Sequence, residues 1–247
     1  MYIGYNVSKI NNLMDEIVEQ HNLVCSNVSM KWSILKAVLR KEWVGPDEFD
    51  FEKRMIERIN KLLESTETLA KNSVDVMYEL GVAWADFQDK NVIEEGGSTG
   101  AGATIKAGLD KPSNFNKVVI ELGESPSFDS SVNLGLTSTS SPLNIQGALT
   151  TFVNEVKAKA NELFSAIEVG SAFMGTNQTH KLKFLMTGVG DAIGVVTTSI
   201  KDFEQAMLKL THSSYTSSDQ KVGEELSSAK STINNSLNDL GETRWSE

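Results

Sequence analysis

Apolar side chains recur along this chain in steps of four and three residues. Ile3, Val7, Ile10, Met14, Ile17, His21, Val24 and Val28 are spaced this way, and Trp32, Leu35 and Leu39 follow after one extra step of four. The pattern resumes at Phe51 and runs through Met55, Ile59, Leu62, Thr66, Leu69, Ser73, Val76, Leu80, Ala83 and Phe87. Such spacing puts each set on one face of a helix. Two helices of roughly 35–40 residues would each reach about 55–60 Å. Neither is stable in water unless its apolar face is covered. A third seam, Ile145, Leu149, Phe152, Val156, Ala160, Leu163 and Ile167, follows later in the chain. A fourth comprises Leu182, Met186, Val189, Ile193, Val196, Ile200, Phe203, Met207 and Leu210. Val222, Leu226, Ala229, Ile233, Leu237 and Leu240 predict a last amphipathic stretch.

The breaks between seams define the organisation. In "RKEWVGPDEFDFEKR" (40–54), Gly45 can adopt the positive φ that ends one helix, and Pro46 prevents its continuation. Asp47 or Asp50 can accept hydrogen bonds from the free amides of the next helix. So short a link joins antiparallel neighbours, with Trp43 at the hairpin tip. Phe173, Met174 and Gly175 hold the corresponding place between the third and fourth seams. Between the two halves, "EEGGSTGAGATIKAG" and "LTSTSSP" bound a segment with the composition of a flexible linker. Its β-branched "FNKVVIELGESPSFDSSVNLGL" could form a small two-stranded hairpin. The expected domains are a first helical hairpin (1–93), a Gly/Ser-rich linker (94–142), a second hairpin (143–218) and a C-terminal amphipathic tail (219–247). The fold class is all-α, two long antiparallel helical hairpins forming a four-helix-bundle-like assembly with a flexible insert.

Charge then narrows the partners. With 33 acidic against 23 basic residues the net charge is −10, which disfavours a sequence-independent grip on nucleic acid or an anionic membrane. Cys25 is the only cysteine, so neither an internal disulfide nor a thiolate metal cluster can form. The N-terminus lacks a basic region followed by an apolar core, and no run approaches a membrane span. The chain is therefore expected to stay in the cytoplasm or to leave without a cleaved signal.

Helix, Trp-x-Gly tip and second helix of similar length resemble the WXG family of helical hairpins, which the type VII secretion systems of Gram-positive bacteria and mycobacteria export. Trp43-Val44-Gly45 carries the match over roughly residues 1–90; the resemblance is weaker over 143–220, where Phe173-Met174-Gly175 lacks the Trp. The family also uses a Tyr-x-x-x-Asp/Glu export signal beyond the second helix, and Tyr215 and Asp219 of "YTSSD" fit that spacing. The resemblance implies a secreted protein that binds through helix-to-helix contacts, as export substrate or carrier. Its implied partners are the secretion-machine ATPase and another hairpin protein or toxin. With both hairpins in one chain, a monomer closed by intramolecular pairing is expected. The alternatives are a helical-bundle adhesin or pore-forming factor outside that pathway, and a cytoplasmic coiled-coil scaffold.

One rival motif points to an enzyme. "TGVGDAIG" (187–194) resembles the dinucleotide-binding turn of short-chain dehydrogenases, with Gly188, Gly190 and Gly194 in the phosphate-approaching positions. The fourth seam runs straight through it, too little chain follows for the remaining βαβ units, and the family's Tyr-x-x-x-Lys does not follow the turn. The helical reading makes Gly190 and Gly194 a small-residue strip for close helix approach. His21 falls on the first seam as a structural histidine, and His180 and His212 stand at opposite ends of the fourth helix. No catalytic residue, metal or cofactor is assigned.

Overall fold

A computed structural model describes residues 7–91, 101–124, 135–171 and 176–214. Five helices dominate: α1 (Val7–Glu42), α2 (Pro46–Asn91), α3 (Ala101–Gly108), α4 (Ser141–Ser171) and α5 (Thr176–Ser214). The strands β1 (Trp43–Val44) and β2 (Gly135–Leu136) pair antiparallel, Trp43 against Leu136 and Val44 against Gly135. The fold is all-α and bundle-like, as the seams require. The C-terminal tail, Phe173, Gly175, Tyr215 and Asp219 lie outside the described residues.

The chain divides into two compact units, each drawing on sections of α1, α2, α4 and α5. One is Met1–Ser26, Leu62–Val118 and Ala158–Asp191. Its core holds Ile10, Met14, Ile17 and Val24 of α1, Leu62 and Leu69 of α2, Leu163 and Ile167 of α4, and Leu182 and Val189 of α5. The other is Asn27–Lys61, Val119–Lys157 and Ala192–Glu247. There Trp32 meets Phe152 edge-on at 6.3 Å, and Lys31 pairs with Glu155 at 3.0 Å, fastening α1 to α4. Arg58 reaches Ser199 at 2.7 Å and Asp202 at 2.6 Å, fastening α2 to α5.

The seams hold closely along α1, where every expected position from Ile10 to Leu39 is buried. On α2 the burial drifts after Val76. Met77, Gly81 and Ala85 turn inward, while Ala83 is exposed and Phe87 is 55 % exposed. A strict seven-residue repeat slips about 20° per heptad against a straight helix, so a long seam must change face unless the helix supercoils. α3 settles on this drifted face. The Gly102 amide donates to the Asp89 carboxylate at 2.8 Å, and a Cβ on Gly102 would lie 2.3 Å from the Ala85 carbonyl oxygen. Only glycine fits there.

α5 passes through 187–194 without a break, so the backbone groups of "TGVGDAIG" belong to a helix interior. The expected close-approach strip does not form. An added Cβ at Gly188, Gly190 or Gly194 would meet no neighbouring atom within 4 Å, because the buried face of α5 runs through Val189, Ala192 and Val196 instead. These glycines cost helix stability without a packing return. Gly188→Ala and Gly194→Ala are each expected to stabilise the protein by about 0.5–1 kcal/mol, read from urea denaturation.

The insert departs from a plain linker where it is described. Beyond α3, residues 109–124 follow α1 and α2 as a strap held by asparagine side chains. Asn11 donates to the Gly108 carbonyl at 2.8 Å and accepts from the Asp110 amide at 3.2 Å. Asn22 donates to the Asn114 carbonyl at 3.1 Å and accepts from the Asn116 amide at 2.7 Å. In the other unit, Asn60 satisfies both the carbonyl and the amide of Ile120, at 2.9 and 2.8 Å. Ile120, expected in a hairpin strand, therefore finds its backbone partner in a side chain of α2. The only described strand of the insert, Gly135–Leu136, pairs with the Trp43–Val44 tip; 125–134 lies outside the described residues.

Candidate functional site

The turn between α1 and α2 is built in the second unit from local rules. Arg40 and Lys41 occupy the last turn of α1, where positive charge suits the helix dipole. Gly45 has φ 145°, a conformation that a side chain would strain. Its carbonyl accepts from the Glu48 amide at 3.2 Å and the Phe49 amide at 3.4 Å, opening α2. Pro46 stands at the first helical position, where its missing N–H costs nothing, and Asp47 and Glu48 follow in the first turn. Gly45 itself, rather than Asp47 or Asp50, makes this start.

Trp43 points inward. It is 1 % exposed, packed against Phe51 at 5.8 Å and edge-on to Phe203 of α5 at 5.9 Å; Phe51 and Phe203 lie 6.2 Å apart. The β1–β2 pair covers the turn, and the Thr137 amide donates to the Glu42 carbonyl at 3.1 Å. The Ser141 hydroxyl donates to the Glu42 carboxylate at 2.7 Å. That bond, aided by Asn144 and Lys41, holds the Glu42 carboxyl below its ordinary value despite burial. A carboxylate at the N-terminus of α4 also meets the favourable end of that helix. The tip is thus tied to both β2 and α4.

Beneath it lies a charged cluster that sequence reasoning missed. Glu52 is fully buried and takes Lys36 at 2.5 Å and Arg40 at 3.1 Å. Glu48, one turn earlier, is 2 % exposed, and its Oε1 has no hydrogen-bond partner within the structure. Burial, then the Glu52 charge, pushes its carboxyl up to about 7 against the weaker pull of Arg40 and Lys36. The available signal was Glu48 and Glu52 at i, i+4 on the face that also carries Phe51 and Met55.

His21 lies on the seam as expected, buried in the first unit. Its Nε2 donates to the Asn116 carbonyl at 3.0 Å, and burial is the chief reason that its pKa is lowered. Cys25 also reaches that carbonyl, at 3.6 Å; burial and then the Glu67 charge raise its thiol to about 11. It is a poor nucleophile in this setting. Among the described residues no group of His, Cys, Asp and Glu side chains could hold a metal, and no helix is long and apolar enough to cross a membrane. Of the residues singled out by sequence, the structure joins Trp43 and Gly45 in one turn; Phe173, Gly175, Tyr215 and Asp219 fall outside the described residues. No family model, curated protein or solved structure matches this chain.

Proposed function

We propose that this chain is a WXG-like protein of a type VII secretion system, exported without a cleavable signal peptide as substrate or carrier and acting by helix-to-helix binding. The observation that carries this reading is Trp43-Val44-Gly45 at the turn between two long helices, with Gly45 at positive φ and Pro46 opening the second. The buried Trp43 makes the tip a rigid, aromatic-anchored corner, which suits recognition of a fixed turn shape rather than of an exposed indole. The secretion-machine ATPase is the partner this implies, and Tyr215 and Asp219 supply the signal that it reads. Pairing of the two hairpins within one chain makes the protein a monomer.

Tyr215→Ala tests the signal. The secreted fraction is expected to fall at least about tenfold, with the intracellular pool folded and undiminished, as the loss of one aromatic hot spot of about 1.4 kcal/mol or more would give. Unchanged export would remove Tyr215 from the signal.

A further inference from the structure

We propose that the α1–α2 face bearing Asn11, Asn22, His21, Lys71 and Asp75 is a groove for an extended polypeptide segment with a basic residue four positions before an aromatic one. The chain's own "KPSNF" stretch, Lys111 to Phe115, occupies that groove in cis. All of these residues lie in one unit.

The hydrogen-bond pattern is that of an added strand. Asn22 bonds the carbonyl of residue 114 and the amide of residue 116, skipping the residue between, as a neighbour does in a parallel β-ladder. Asn11 makes the same pair of bonds to Gly108, the last residue of α3, and to Asp110, where the strap leaves that helix. His21 and Cys25 add two more contacts to the Asn116 carbonyl. Every one of these bonds reads main chain, which any residue other than proline at the donor positions can offer. Two side chains are read besides. The Phe115 ring lies 5.9 Å from His21 with the Lys71 ammonium 5.7 Å from its centre; Lys111 pairs with Asp75 at 2.8 Å and lies over the Tyr78 ring. Main-chain bonds for grip and spaced side-chain contacts for selection are how strand-addition sites bind peptides.

The present occupant is held lightly. Asp110, Lys111, Ser113, Asn114, Asn116 and Lys117 are all exposed, and between residues 110 and 117 only Pro112 and Phe115 are half-buried. Segments fixed mainly by solvent-exposed bonds sit at the low end of local stability. Covalent attachment supplies an effective concentration of about millimolar, which a free segment must overcome unless the strap is released. The groove is therefore a strand site closed by its own strap. It stands apart from the export reading, since nothing in it depends on the Trp43 tip or on Tyr215.

Cys25, the only cysteine, reports on the groove because the strap covers it. In the full chain, its reaction with Ellman's reagent is expected to be slow, and at least tenfold faster in Phe115→Ser. Asn116→Pro, which removes the amide that Asn22 accepts, serves as a second opened variant should the first lose its helical circular dichroism. Adding a synthetic peptide with the sequence of residues 107–118 is expected to return the rate of either variant to near the original value. The same peptide methylated on the nitrogen corresponding to Asn116 is expected to give no protection. No faster reaction in a folded opened variant, no protection by the peptide, or equal protection by its methylated form would each overturn the proposal.

Discussion

Truncation of Trp43 to Ala is expected to cost about 3–5 kcal/mol, the range for removing a fully enclosed large aromatic side chain. The indole is 1 % exposed and shares its cavity with Phe51 and Phe203, so the lost volume has rings on two sides that cannot both collapse into it. The turn that α1, α2, β2 and α5 share would lose its common anchor. Trp43→Phe keeps one ring in place and is expected to lose less than half as much. Urea denaturation followed by far-ultraviolet circular dichroism reads both values without relying on tryptophan fluorescence. A cost below about 1 kcal/mol for the Ala variant would mean that the aromatic cluster does not carry the turn.

The second large effect is a pH dependence centred on Glu48. Its folded carboxyl is raised to about 7, so between about pH 4.5 and pH 7 the native state keeps a proton that the unfolded chain has released. Stability from this group therefore falls as pH rises through that window and is lowest above it. With Glu52 one turn away taking both Lys36 and Arg40, an ionised Glu48 has no unshared cation to meet. Glu48→Gln removes the titration. At pH 8 it is expected to be more stable than the original protein by about 2 kcal/mol, with the difference closing toward pH 4.5. His21 works in the opposite sense: its folded pKa is lowered, so its contribution is complete at neutral pH and declines as pH falls below about 6.5. Because both proteins keep His21, the difference between their denaturation curves at pH 5, 6, 7 and 8 isolates Glu48. A constant difference across that range would exclude the titration.

What could be read from the sequence is what a single chemical demand imposes. A long helix must bury one face, so the positions from Ile10 to Leu39 announced themselves by spacing alone. Positive φ and a missing amide have few residue solutions, so Gly45 and Pro46 marked the turn directly. Where a residue type serves many purposes, spacing gave no answer. Asn11, Asn22 and Asn60 look like ordinary solvated side chains until the strap is laid beside them, since each bonds a backbone between 60 and 99 positions away. Glu48 and Glu52 were not singled out, because nothing in their own helix tells that Lys36 and Arg40 of α1 lie against them. Phe203 belonged visibly to the fourth seam, but only the packing of α5 makes it a partner of Trp43. The glycines of α5 misled for the converse reason: small size permits close approach but does not supply a neighbour to approach.

The most direct test of the secretion reading is export from paired strains that differ only in the ATP-hydrolysing residue of the type VII motor. The full chain, produced at equal levels in both, is expected in the culture medium of the strain with the active ATPase and in the cytoplasm of the other. Equal amounts in the two media, or retention inside both strains, would contradict it.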